Sequence, residues 1–92
     1  AGIKNKVLEA LAMGCPVIAT PLSVDGIAIR SGVHALVAEG EHLISATRRL
    51  LSDPALAESL GTQGRALVEE QYSWAGVAAR YRALYTEVIA AG

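Results

Sequence analysis

The sequence predicts an α/β fold: part of a Rossmann-like half-domain with about two short parallel strands, near 16–20 and 35–38, and a predominantly helical remainder ending in three helices. Three observations carry that expectation. The 92-residue length allows one small domain only. Two short apolar runs without alternation fit strands buried on both faces, as in parallel sheets. The rest of the chain repeats its apolar residues at helical spacing.

The elements follow in order. Over residues 3–13, Ile3, Val7, Leu8, Leu11 and Ala12 recur at helical spacing and Gly14 stands as the stop. Pro16, Val17, Ile18, Ala19 and Thr20 form an apolar run with a β-branched centre, closed by Pro21, which predicts a strand. Residues 22–33 hold Gly26 and Gly32 without a sustained period and predict a loop, with one helical turn within 24–29. Ala35, Leu36, Val37 and Ala38, set between Gly32 and Gly40, predict the second strand. In residues 41–52, Leu43, Ala46 and Leu50 share a line with Ile44, Thr47 and Leu51 beside it, so an amphipathic helix is expected with Arg48 and Arg49 outward.

Asp53 followed by Pro54 is an N-cap with proline at the first helical position. The pattern then continues to about Tyr72, but Gly61 and Gly64 each cost about 1 kcal/mol relative to Ala. Two helices or one kinked helix fit that stretch. Ser73 caps a last helix whose stripe runs through Trp74, Val77, Ala78, Tyr81, Leu84, Tyr85 and Val88. Two strands make a narrow sheet, so further strands or a second copy of the chain are expected at its edge.

Composition narrows the function. Eight Lys and Arg against nine Asp and Glu give a net charge of −1, too weak a field to hold nucleic acid. The one cysteine, Cys15, has no partner for a disulfide and no nearby ligand for zinc, which predicts a reducing, cytoplasmic compartment and no metal site. No segment reads as a membrane span. Leu, Ile and Val sum to 25 while only four residues are aromatic, so the core is expected to be aliphatic. No GxSxG, Walker, GxGxxG or HExxH pattern occurs.

In an open α/β sheet, ligands bind beyond the carboxyl ends of the strands, where helix N-termini converge. Two such places exist here. One is the start of the first helix, with Gly2 open to close approach, the free amides of Ile3, Lys4 and Asn5, and the charges of Lys4 and Lys6; it suits a phosphate. The other is the loop after the first strand, with Thr20, Ser23 and Asp25. Glu9, among apolar helix neighbours, is either a carboxylate on the outer face or an acceptor for a diol such as a ribose. His34 and His42 read as surface or strand-end residues, and Trp74 as core.

The run Gly2-Ile3-Lys4-Asn5-Lys6-Val7-Leu8-Glu9-Ala10-Leu11-Ala12-Met13-Gly14-Cys15-Pro16-Val17-Ile18-Ala19-Thr20 resembles the donor-binding segment of group 1 (family 4) glycosyltransferases of the GT-B fold. Residues 32–39 resemble that family's "G.HLLVAE" strand, and 65–74 its closing "GR.LVEE.YSW" helix pair. The resemblance implies a retaining transfer of sugar from a nucleoside diphosphate donor to a glycan or glycoconjugate acceptor, with no cofactor beyond the nucleotide-sugar itself. Glu9 matches the second acidic residue of the E-x7-E motif, which holds the donor ribose, and residues 2–6 would face the diphosphate. The first acidic position falls on Ala1, and the basic pair upstream of the phosphate site and the acceptor domain have no counterpart here. The chain is therefore expected to be a C-terminal fragment, inactive alone, from a cytoplasmic parent with peripheral contact to the inner membrane face as an option. No catalytic residue is assigned. The rival readings are a GT-B-like epimerase or phosphorylase, and a noncatalytic helical module that binds a partner through the stripe of 74–88.

Overall fold

In the computed structural model, residues 2–72 are described. Their order is α1 (Gly2–Ala12), β1 (Ile18–Ala19), a 3-10 turn (Leu22–Val24), β2 (Leu36–Val37), α2 (His42–Ser52) and α3 (Pro54–Gln71). The expected α/β half-domain is present. Helix expected over 73–88 lies outside the described residues.

α1 ends as its glycine predicts. Gly14 takes φ +74°, the Cys15 amide donates to the Ala10 carbonyl at 3.1 Å and the Gly14 amide to the Leu11 carbonyl at 3.0 Å. These two bonds are the Schellman arrangement, which satisfies carbonyls the helix leaves orphaned. The chain then reverses through Pro16 into β1.

β1 and β2 pair in parallel, with Ile18 opposite Leu36 and Ala19 opposite Val37. Both strands are shorter than the runs 16–20 and 35–38. Proline on either side of β1 removes donors, and the ladder closes with Leu36 N–H to Val17 O and Ala38 N–H to Ala19 O, each 2.9 Å. Alternate amides of β2 therefore point away from β1. On that far side the Val37 amide donates to Ser31 Oγ at 3.0 Å, and Ser31 bridges to Ala35. A serine from the preceding loop thus occupies the outer edge of β2.

The helical turn expected within 24–29 lies earlier, at Leu22–Val24. Thr20 relocates it: the Ser23 amide donates to the Thr20 carbonyl at 3.1 Å, while Ser23 Oγ donates to the same oxygen at 2.9 Å. Side chains of this type compete well for local backbone partners.

Asp53 caps α3, its Oδ1 accepting from the Leu56 amide at 3.0 Å. α3 then runs through Gly61 and Gly64 as one helix, which decides between the two alternatives the sequence left open. The two glycines serve packing instead. A Cβ on Gly61 would collide with the Gly14 carbonyl oxygen, and one on Gly64 would stand 2.7 Å from Leu11 Cδ2 and 2.9 Å from the His34 carbonyl oxygen. Their missing side chains let α3 lie against the end of α1 and the turn before β2. Leu11 and Leu60 are fully buried there, joined in the core by Ala19, Val24, Ala35, Leu36 and Leu67. α2 is less committed: Leu43, Ala46 and Leu50 are half-buried, while Ile44 and Leu51 remain 60% and 81% exposed.

Candidate functional site

The first turn of α1 and the loop after β1 meet, as the carboxyl-end argument predicts. Ile3, Lys4, Thr20, Leu22, Ser23 and Asp25 line one hollow of about 300 Å³. Beside it, Ile3, Lys6, Val7, Ala10, Val17, Ile18, Ala19, Thr20 and Ser23 line a second, of about 360 Å³ and largely apolar. Ile3, Thr20 and Ser23 belong to both, so the two hollows share a wall.

Helical geometry separates the two lysines. Residues 4 and 6 are about 200° apart around an axis of 3.6 residues per turn, so both cannot enter one hollow. Lys4 is half-buried and reaches toward the loop, with Nζ 3.6 Å from where a Cβ on Gly26 would stand. Lys6 is exposed and borders only the second hollow. The two lysines therefore border adjacent hollows from different sides of α1.

The hydroxyls are also unequal. Ser23 Oγ spends its proton on the Thr20 carbonyl, whereas Thr20 Oγ1 accepts from the Ser23 amide at 3.3 Å and keeps its own proton. Thr20 can thus donate to an anion in the hollow while Ser23 offers lone pairs. Asp25 on the same rim opposes an anion, and it forms no ion pair with Lys4 among the described residues.

Glu9 stands elsewhere. It is exposed and sits about 160° around α1 from the fully buried Leu11, on the outer face of the helix. Neither Glu9, Asn5 nor Gly2 lines either hollow. No ion pair reaches Glu9 among the described residues. Its carboxylate is open to a ligand approaching that outer face, one turn along from Lys6.

Sequence reasoning missed Leu22, which is 81% exposed at the mouth of the first hollow. Its position beside Thr20 in a proline-led turn was the available signal. His34 is held at the turn before β2, where Nδ1 accepts from the Arg30 amide at 3.0 Å. Cys15 is a half-exposed free thiol. Among the described residues no His, Cys, Asp and Glu side chains gather as a metal set, and no helix is long and apolar enough to cross a membrane.

A family model described as glycosyl transferase-like matches residues 1–83, a stretch that contains both hollows and every described element. No curated protein and no solved structure matches the chain.

Proposed function

The chain belongs to the glycosyl transferase-like family, and on that premise we propose that it is the C-terminal part of the donor-binding domain of a transferase. The parent moves a sugar from a nucleoside diphosphate to a glycan or glycoconjugate acceptor. The observation that carries this reading is the hollow that joins the first turn of α1 to the loop after β1 around Lys4.

The diphosphate lies across the start of α1, where the amides of Ile3 and Lys4, which find no acceptor within the first turn, and the positive end of the helix dipole face it. Lys4 closes on it from the loop side, Lys6 from the other, and Thr20 supplies a hydroxyl donor. Donors arranged in advance of the reaction stabilise the charge that grows on the leaving diphosphate. Glu9, on the outer face, accepts the ribose hydroxyls. No metal or cofactor takes part in this reading. The helix terminus alone contributes about 0.3–1 kcal/mol, so affinity depends on the lysines and amides acting together. With Ala1 at the first acidic position of the motif, the chain alone binds weakly and does not turn over.

Titration with uridine and adenosine diphosphates, followed by amide NMR, tests this. Shifts are expected at Ile3, Lys4, Thr20 and Ser23, and Lys4→Ala should weaken binding by several-fold. Unmoved amides at millimolar nucleotide would remove the site.

A further inference from the structure

We draw no further inference here: the strongest candidate, the outer edge of β1 with the apolar hollow of about 360 Å³ that α1 borders, is an apolar face without a partner among the described residues, and nothing in the structure shows what covers it.

Discussion

Replacing Gly64 or Gly61 by alanine sets two physical effects against each other with opposite signs. Alanine is favoured over glycine in a helix interior by about 1 kcal/mol, so propensity alone predicts stabilisation. Packing predicts the reverse. The new methyl of Gly64→Ala would stand 2.7 Å from a Leu11 side chain that is fully buried and 2.9 Å from a backbone oxygen of His34. Overpacking of this kind costs about 1–3 kcal/mol, which leaves a net loss of up to about 2 kcal/mol. Gly61→Ala meets the backbone of Gly14, which cannot rotate away as a side chain can, so it belongs at the upper end. For a domain of this size about 1 kcal/mol corresponds to roughly 4–8 °C, so Gly61→Ala should lower the thermal midpoint by roughly 8–16 °C. Ser59→Ala, on an exposed position of the same helix, supplies the propensity effect by itself and should raise the midpoint slightly. Urea and thermal unfolding of the four chains give the comparison. If both glycine variants gain stability as Ser59→Ala does, the close approach of α3 to α1 is wrong. A double-mutant cycle localises the clash: Leu11→Ala costs about 2–5 kcal/mol by itself and should cost less in the Gly64→Ala background.

Three smaller perturbations follow from the same structure. Gly14→Ala should lose about 1–2 kcal/mol in urea unfolding, because the left-handed conformation at φ +74° disfavours a side chain even where space exists. Asp53→Ala removes the acceptor for the Leu56 amide and should cost about 1 kcal/mol, whereas Asp53→Asn should retain most of it. Arg65→Ala breaks the 2.9 Å pair with Glu69, but the two side chains are 61% and 63% exposed, so unfolding should change by no more than about 0.5 kcal/mol and less in high salt.

What was legible in the sequence is what is local. Gly14 before Pro16, and Asp53 before Pro54, announce helix ends whose hydrogen bonds close within a few residues. Both ends appear where expected. The sequence leaves one helix or two open at Gly61 and Gly64 because the reason for these glycines is tertiary: the Gly14 carbonyl, Leu11 and His34 lie far away in sequence, and no periodicity records their approach. The helical turn moved to Leu22–Val24 because Thr20 competes for the Ser23 amide and hydroxyl, a detail that the glycines at 26 and 32 obscured. At the site, the meeting of Lys4 with Thr20 and Ser23 follows from strand polarity and was foreseeable. The two-residue separation of Lys4 and Lys6 likewise dictates that they flank the start of α1 from different sides.

The hydroxyl of Ser31 on the Val37 amide makes the small sheet asymmetric in a practical way. An exposed row of backbone donors invites pairing with foreign chains, and among the described residues one flank is spent internally while the other has no partner. Surface loops ordinarily welcome tags and grafted peptides, but residues 30–33 are a poor choice: an insertion there would unseat Ser31 and leave the Val37 amide open to a foreign strand.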